Sequence, residues 1–251
     1  MKHIPNFFTL LNLLFGCLAI TVILQNGLVI EYTADGGELV NIPEKIWLAS
    51  LFIGIAAVID FLDGFVARVL NASSALGKQL DSLADVVTFG VAPSMIIYQF
   101  LRMSYAAEED GMNVSVLLLV PAFLIAMAAA YRLGKFNLDS RQSTGFFGVP
   151  TPAAGLLIAS FPLIYWFDPA TSAYLFNKWV LYILVFILSW LMVSELPMMA
   201  FKFSRGDRSS MLPLLILVAA GIITAIFAGW IAVPVVFVLY IVLSLIFKRK
   251  S

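Results

Sequence analysis

Long apolar stretches separated by short polar connections dominate the pattern of this sequence. There are eight such stretches, and most are near the length of about 20 residues that a helix needs to cross a lipid bilayer. They cover approximately residues 7–29, 46–70, 80–101, 114–134, 152–167, 178–200, 211–228 and 230–247. The pattern predicts an all-α integral membrane protein, a bundle of about eight transmembrane helices.

The same pattern predicts how the chain is divided. No internal repeat, low-complexity tract or soluble segment interrupts the stretches, so we expect a single membrane domain over residues 1–251. A core over about residues 1–205 is followed by two stretches that only Gly229 and Trp230 separate, which predicts a C-terminal helical hairpin over about 211–247. No cleavage site of small residues follows the first stretch, which we therefore interpret as a retained helix.

The cations of the connecting segments predict the orientation of the chain. If the N-terminus is cytoplasmic, twelve Lys and Arg residues lie on the cytoplasmic side and three on the other. The cytoplasmic set is Lys2, Arg68, Lys78, Arg132, Lys135, Arg141, Lys202, Arg205, Arg208, Lys248, Arg249 and Lys250. The other three are Lys45, Arg102 and Lys178. This bias follows the positive-inside rule, so we expect both termini to be cytoplasmic.

Composition supports a membrane protein and narrows the function classes. Hydrophobic residues make up 62% of the 251 residues and charged residues only 12%, against about 25% charged in soluble domains. The formal net charge is zero and no long basic run occurs, so nothing favours nucleic acid as a partner. The single cysteine, Cys17, cannot form an intramolecular disulfide.

Four aspartates are concentrated in the second and third apolar stretches. Asp60, Asp63 and the small residue Ala67 stand at i, i+3 and i+7 and share one helix face, while Asp81 and Asp85 stand at i and i+4 on the next helix. Carboxylates in membrane helices are costly and normally mark a functional site. If the two helices face each other, the carboxylates need a cation, and oxygen ligands of this kind suit Mg²⁺ or Mn²⁺.

The aspartates belong to a longer motif between Asp60 and Asp85. Its pattern, Asp-x2-Asp-Gly-x2-Ala-Arg-x8-Gly-x3-Asp-x3-Asp, resembles the signature of the CDP-alcohol phosphotransferase family at every fixed position. In that family, membrane enzymes use an alcohol to attack the β-phosphorus of a CDP-linked lipid, and CMP is released. The resemblance implies the same reaction here, with CDP-diacylglycerol as the donor.

The resemblance also implies roles for individual residues. Asp60, Asp63 and Asp81 would hold two divalent metal ions, Mg²⁺ or Mn²⁺, and Asp85 would be both a metal ligand and the general base. The residues implied for binding the cytidine diphosphate moiety are Asn6, Thr9, Gly64, Ala67, Arg68 and Gly77.

The N-terminal segment supplies two of those nucleotide-binding candidates. Asn6 and Thr9, and less directly Asn12, fall near one face of the first predicted helix, which Pro5 is well placed to start. The family often carries an Asn-x2-Thr pattern here that contributes to the nucleotide site. Helix capping and interhelical hydrogen bonds are the alternative explanation for these residues.

A cationic segment follows the fourth apolar stretch on the predicted cytoplasmic side. It reads Arg132-Leu-Gly134-Lys135-Phe-Asn137, is followed by Arg141, and continues into a Phe-Gly-Val-Pro-Thr-Pro run. Both parts resemble the phosphatidylserine synthases within the family, although Gly134 and Lys135 replace the more usual Ala and Arg. The resemblance implies L-serine as the acceptor, bound by Arg132, Lys135, Asn137 and Arg141.

Other acceptors and another function class remain open on the sequence. A phosphorylated acceptor would also require cations, and the protein would then be a phosphatidylinositol-phosphate or phosphatidylglycerol-phosphate synthase. Intramembrane carboxylates also serve divalent-cation transporters. Transporters, however, usually carry polar residues on both sides of the membrane midplane, whereas here they cluster at one face.

The partners and location follow from these interpretations. We expect CDP-diacylglycerol, L-serine and membrane lipid as partners, a second copy of the chain in a homodimer, and no nucleic acid. We expect a multi-pass protein of the cell membrane whose active site faces the cytoplasm, where nucleotides are.

Overall fold

Helices make up most of the chain in the computed structural model, which describes residues 4–32, 38–69, 74–108, 113–138, 146–168, 171–172, 176–199 and 208–247. The helices are α1 (Ile4–Gln25), α2 (Trp47–Val69), α3 (Ala75–Asp85), α4 (Ala92–Ala106), α5 (Val116–Leu119), α6 (Leu124–Leu138), α7 (Thr151–Ala159), α8 (Phe161–Phe167), α9 (Lys178–Val193), α10 (Arg208–Ala228) and α11 (Ala232–Ile246). The strands form small antiparallel pairs, β1 (Val29–Tyr32) with β2 (Glu38–Asn41) and β3 (Phe146–Phe147) with β4 (Pro197–Met198).

Several helices are suited to crossing a membrane. Among the described residues, five helical segments are long and apolar enough: Pro5–Gln25, Glu44–Val69, Ala75–Ala106, Val116–Leu138 and Pro213–Ile246. Thr151–Phe167 and Lys178–Val193 are apolar but shorter. The protein is therefore an all-α membrane protein, as the hydropathy pattern predicted. The number of eight spans and the side of each terminus stay predictions.

Local backbone chemistry moves some helix boundaries away from the predicted spans. The sixth span was predicted over residues 178–200, but α9 ends at Val193 because Ser194 is extended and residues 197–198 form β4. Pro197 has no N–H group and would leave a helical hydrogen bond unmade. The third span, predicted over residues 80–101, lies inside a longer continuous helical segment over 75–106.

That continuous segment is the central element of the bundle. It consists of α3, a π-helical turn (Val86–Val91) and α4. Its residues Phe89, Ile96 and Phe100 are fully buried, and α1, α6 and α7 pack against the π-helical turn. Such turns are rare and frequently lie at functional sites; this one begins immediately after Asp85.

Small residues allow the neighbouring helices to approach this segment closely. A Cβ atom added to Gly16 of α1 would lie 2.3 Å from Thr88 Oγ1. One added to Gly90 would lie 2.9 Å from the Cβ atom of Ala129, which belongs to α6. Contacts between small residues let membrane helices pack backbone against backbone. They hold α1 and α6 beside the segment that carries Asp81 and Asp85.

The connection into α7 is attached to the end of α9. The Gly148 N–H donates to the Leu196 carbonyl at 2.9 Å, and the Val149 N–H donates to the Leu191 carbonyl at 3.1 Å. Gly148 has a φ of +70°, and a Cβ atom there would lie 2.5 Å from the Met192 carbonyl oxygen. Only glycine combines this backbone conformation with so close an approach.

We therefore expect Gly148→Ala to destabilise the protein by about 2 kcal/mol or more, because a positive φ strains a residue with a Cβ atom and that atom meets a carbonyl oxygen. Gly54→Ala is the control, since nothing lies within 4 Å of a Cβ atom added there. Thermal unfolding of both variants in detergent measures the effect. Equal midpoints for Gly148→Ala and the wild type would contradict the expectation.

The C-terminal helices α10 and α11 fold back on each other. The turn between them contains Gly229, whose φ is +51°. A Cβ atom added to Gly221 of α10 would lie 3.3 Å from Cγ2 of Val236 in α11. On its other side α11 packs against α7 and β4. The hairpin therefore contacts the connection that Gly148 attaches to α9.

Candidate active site

Three of the four predicted metal ligands lie together between α2 and α3. One carboxylate oxygen from each of Asp60, Asp63 and Asp81 lies within 4.8 Å of the others. Asp63 is buried and the other two are half-buried. Three carboxylates this close cannot all remain ionised without a compensating cation. Because oxygen donors suit hard divalent ions, this cluster fits Mg²⁺ or Mn²⁺.

The first turns of α1 hold one of these carboxylates in position. The Thr9 hydroxyl lies 2.8 Å from Asp63 Oδ2 and 3.2 Å from the Pro5 carbonyl oxygen. Thr9 is buried, so little water competes for the bond to Asp63. Thr9, which the sequence indicated for the nucleotide site, thus also orients a predicted metal ligand.

Asp85, the predicted general base, is held by Asn12, which the sequence placed near the face of Asn6 and Thr9 but not among the site residues. Asn12 Nδ2 donates to Asp85 Oδ1 at 3.2 Å, and the Asn12 carbonyl accepts from Thr88 Oγ1 at 3.2 Å. Asn12 is fully buried and Asp85 is 6% exposed. The only available signal was a polar residue one turn beyond Thr9 in an apolar stretch. Asn12 therefore fixes the orientation of the Asp85 carboxylate.

A cavity of about 530 Å³ lies beside the carboxylates, between α1, α2 and the start of α3. It is lined by Pro5, Asn6, Thr9, Asp63, Gly64, Ala67, Ser74, Ala75, Gly77, Lys78 and Asp81. Five of these, Asn6, Thr9, Gly64, Ala67 and Gly77, are the residues that the sequence predicted for the cytidine diphosphate moiety. Arg68, the sixth predicted residue, is exposed near the end of α2.

The N-terminus of α3 forms part of the cavity wall. The Ser74 hydroxyl accepts from the Gly77 N–H at 2.9 Å and so caps the helix. A Cβ atom on Gly77 would lie 3.0 Å from Asn6 Oδ1, so glycine keeps α1 and α3 close. Ser74 and Lys78 line the cavity but were not predicted as site residues. A helix N-terminus with a nearby ammonium group favours phosphate oxygens.

The residues predicted to bind serine have different partners in the structure. Lys135 forms an ion pair with Glu195 at 2.8 Å. Asn137 Nδ2 donates to Ser82 Oγ at 2.8 Å, on the helix that carries Asp81. Arg141 lies outside the described residues. Lys135 and Asn137 thus have protein partners, whatever further contacts they make.

Arg132 differs from Lys135 and Asn137 because it is buried and has a nitrogen without a hydrogen-bond partner. It is 8% exposed, and one terminal nitrogen donates to Thr151 Oγ1 at 3.2 Å. Its Nε atom is buried and has no hydrogen-bond partner. The guanidinium interacts electrostatically with the carboxylate of Asp85. Arg132 therefore lies near the general-base candidate with hydrogen-bonding capacity left for a ligand.

The comparison with known families agrees with the motif. A family model described as CDP-alcohol phosphatidyltransferase matches residues 2–196. The matched part contains every described residue named above for the metal, nucleotide and acceptor sites, and it ends before α10 and α11.

Several curated proteins with similar sequences carry the same name. The chain is 33% identical over 202 residues to the CDP-diacylglycerol–serine O-phosphatidyltransferase of Bacillus subtilis, and this alignment covers 80% of the chain and 93% of the relative. The protein of that name from Methanocaldococcus jannaschii is 31% identical over 193 residues, covering 77% and 72%. The one from Saccharomyces cerevisiae is 33% identical over 165 residues, covering 62% and 52%. With its aspartate motif inside the matched segment, the chain belongs to the CDP-alcohol phosphatidyltransferase family.

Proposed function

We propose that this protein transfers the phosphatidyl group of CDP-diacylglycerol to L-serine, giving phosphatidylserine and CMP. The observation that carries the proposal is the cluster of Asp60, Asp63 and Asp81 beside a cavity, with the buried Asp85 on the same helix as Asp81. The printed names of the similar proteins supply the donor and the acceptor.

The carboxylate cluster is proposed as the site of two divalent metal ions, with Asp85 as a further ligand. Metal ions bound there would neutralise charge on the diphosphate and stabilise the departing CMP. The cavity residues Asn6, Thr9, Gly64, Ala67 and Gly77 would bind the cytidine diphosphate, with Arg68 at its edge. The small residues among them permit close approach of the nucleotide to the backbone.

Asp85 is proposed as the general base. The serine hydroxyl oxygen forms a bond to the β-phosphorus of CDP-diacylglycerol, the bond from that phosphorus to the oxygen of CMP breaks, and the hydroxyl proton passes to the Asp85 carboxylate. The hydrogen bond from Asn12 supports this role, because it fixes one carboxylate oxygen and leaves the other available. Burial keeps water from competing with serine for the same position.

Arg132 is proposed to bind the serine carboxylate. A guanidinium can form two parallel hydrogen bonds with a carboxylate, and the unpartnered Nε atom of Arg132 supports this role. Lys135, Asn137 and Arg141 are proposed to complete the acceptor site. Lys135 would contribute to this site while it remains paired with Glu195.

The proposed membrane arrangement follows the distribution of cations. Both termini and the active site would face the cytoplasm, in a cell-membrane protein of about eight spans. The chain would form a single domain over residues 1–251, with a core over about 1–205 and the C-terminal hairpin over about 211–247. A homodimer is proposed as the assembly, to be tested by light scattering in detergent.

The function is tested by an assay of the purified protein with CDP-diacylglycerol, Mn²⁺ or Mg²⁺ and a panel of alcohols. We expect CMP release with L-serine, loss of release when EDTA removes the metal, and little release with inositol phosphate or glycerol phosphate. Release that depends on one of the phosphorylated alcohols and not on serine would refute the serine assignment. If none of the alcohols supported metal-dependent release of CMP, the transferase proposal would be refuted.

Thr9→Val tests the metal site separately from the chemistry. We expect it to lower the affinity for Mn²⁺ about tenfold, because it removes the hydrogen bond to Asp63 while keeping the side-chain shape. Thr21→Val on the same helix is the matched control, since the Thr21 hydroxyl bonds only to the Cys17 carbonyl within its own helix. Titration of Mn²⁺ by electron paramagnetic resonance without CDP-lipid measures both. If Thr9→Val bound Mn²⁺ as tightly as the Thr21→Val control does, Thr9 would not contribute to holding the metal ligands.

A further inference from the structure

The C-terminal helix α11 lies beyond the residues that the family model matches, yet it contacts the acceptor side of the site. The match ends at residue 196, whereas α11 covers Ala232–Ile246. α11 packs against β4 and against α7, the helix that begins with Thr151. A chain segment outside the family core is thus in contact with the element that bonds Arg132.

Two buried residues of α11 attach it to the segment after β4. The Ser244 hydroxyl accepts from the Met199 N–H at 3.2 Å and donates to the Tyr240 carbonyl at 2.7 Å. The Tyr240 hydroxyl donates to the Met199 carbonyl at 3.3 Å. Ser244 is 1% exposed and Tyr240 is 6% exposed. Both backbone polar groups of Met199 are therefore bonded to side chains of one helix.

The segment that α11 holds continues, through strand pairing, to the start of α7. β4 pairs with β3, and Gly148 and Val149 immediately after β3 are bonded to the end of α9. Thr151 follows two residues later and accepts from Arg132 at 3.2 Å. Displacement of β4 would move β3 with it, and so change the position of Thr151 relative to Arg132.

The packing of α11 against α7 adds a second connection to the same element. Thr151, the first residue of α7, is fully buried and is the hydrogen-bond partner of Arg132. The position of α11 can therefore influence that of Arg132 both through β4 and through α7.

We infer that Tyr240 and Ser244 of α11 are positioning residues of the acceptor site, which hold the Arg132 guanidinium in the orientation that binds the acceptor carboxylate. The inference rests on the proposed function, because it takes Arg132 as the ligand of serine. It assigns the C-terminal hairpin a part in acceptor binding.

The test is Tyr240→Phe in the full-length protein, because this change removes only the hydroxyl. We expect the serine KM to rise about tenfold, through the loss of the hydrogen bond to the Met199 carbonyl, while the CDP-diacylglycerol KM stays within about twofold. Ser244→Ala is the second variant, for which we expect a serine KM about fivefold higher through the loss of the Met199 bond. Tyr32→Phe is the control, since Tyr32 is 73% exposed on β1.

A double substitution separates positioning from a general loss of structure. In an Arg132→Ala background, adding Tyr240→Phe should change the serine KM by less than about twofold, because the tyrosine acts through the arginine. A further tenfold rise, or equal increases in both substrates' KM values, would overturn the inference. So would an unchanged serine KM in both single variants. Each of these results leaves serine-dependent CMP release by the wild type intact, whereas its absence would refute the proposed function instead.

Discussion

Asp85→Asn is expected to reduce kcat by about 10³-fold or more while leaving most of the binding of CDP-diacylglycerol. The amide cannot accept the serine proton as a carboxylate does, and general-base catalysis typically contributes about 10²–10⁴-fold. The structure favours Asn over Ala for this test, because the amide oxygen can still accept the hydrogen bond from Asn12. Pre-steady-state CMP release measures the rate of the chemical step, and a binding assay with a CDP-lipid measures the affinity for the donor substrate.

Glu31→Gln is the matched control for that experiment, since Glu31 is an exposed carboxylate on β1, away from the carboxylate cluster. It should keep wild-type kcat. A near-normal kcat for Asp85→Asn at saturating serine and metal would show that another group takes the proton. A loss of CDP-lipid binding as large as the loss of kcat would assign Asp85 to metal binding alone.

Arg132→Ala is expected to raise the serine KM by about two orders of magnitude. Removal of one member of a desolvated ion pair typically costs several kcal/mol, and about 3 kcal/mol corresponds to roughly two decades. Arg132 is buried, so water cannot readily replace it beside the serine carboxylate. The KM for CDP-diacylglycerol should change little, because the cavity between α1, α2 and α3 would hold that substrate.

Two further variants make the arginine test specific. Arg132→Lys should recover only part of the affinity, since a point charge cannot supply the planar pair of donors. Arg102→Ala is the matched control, because Arg102 also donates one side-chain hydrogen bond, to Gln99 at 3.2 Å, but belongs to the far end of α4. If Arg132→Ala left the serine KM within about twofold of the wild type, Arg132 would have no part in binding serine, and its bond to Thr151 and its charge would serve the fold and the orientation of the chain.

Hydropathy predicted the apolar helices because a membrane helix needs about 20 predominantly apolar residues in succession. It did not predict β1 and β2, which pair Val29 with Asn41 in the connection between α1 and α2. Nor did it predict the pairing of β3 with β4, whose partners are far apart in sequence. Short strands such as these depend on where the helices bring the connections, which a local average of hydropathy does not contain.

In the candidate site, too, spacing along one helix was predictable from the sequence, whereas hydrogen bonds between helices were not. The spacing of Asp60 and Asp63 on one helix and of Asp81 on the next was sufficient to predict that their carboxylates lie together, as the structure has them. The bonds from Asn12 to Asp85 and from Arg132 to Thr151 join different helices, so no spacing within one helix could indicate them.

The part of Lys135 in binding serine stays a prediction, but its partner in the structure could not be read from the sequence. Lys135 pairs with Glu195, which is 60 residues away along the chain. A lysine at this end of α6 can pair with a carboxylate of the protein or with one of a ligand, and the sequence alone does not show which. Contacts of this kind depend on how α6 and α9 are arranged relative to each other.

The π-helical turn after Asp85 sets the rotational phase between the two halves of the central helix. A turn of this type contains about one residue more than an α-helical turn, and one residue corresponds to about 100° of rotation around a helix axis. The segment from Ala75 to Asp85 can therefore direct its aspartates towards α1 and α2 while the segment from Ala92 onwards directs its apolar face into the core. Deletion of a single residue from Val86–Val91 would rotate one half of the helix against the other. The aspartates of α3 and the apolar face of α4 could then not both keep their present directions. The number of residues between Asp85 and Ala92 therefore has to be kept, in addition to the close contacts that Thr88, Phe89 and Gly90 make.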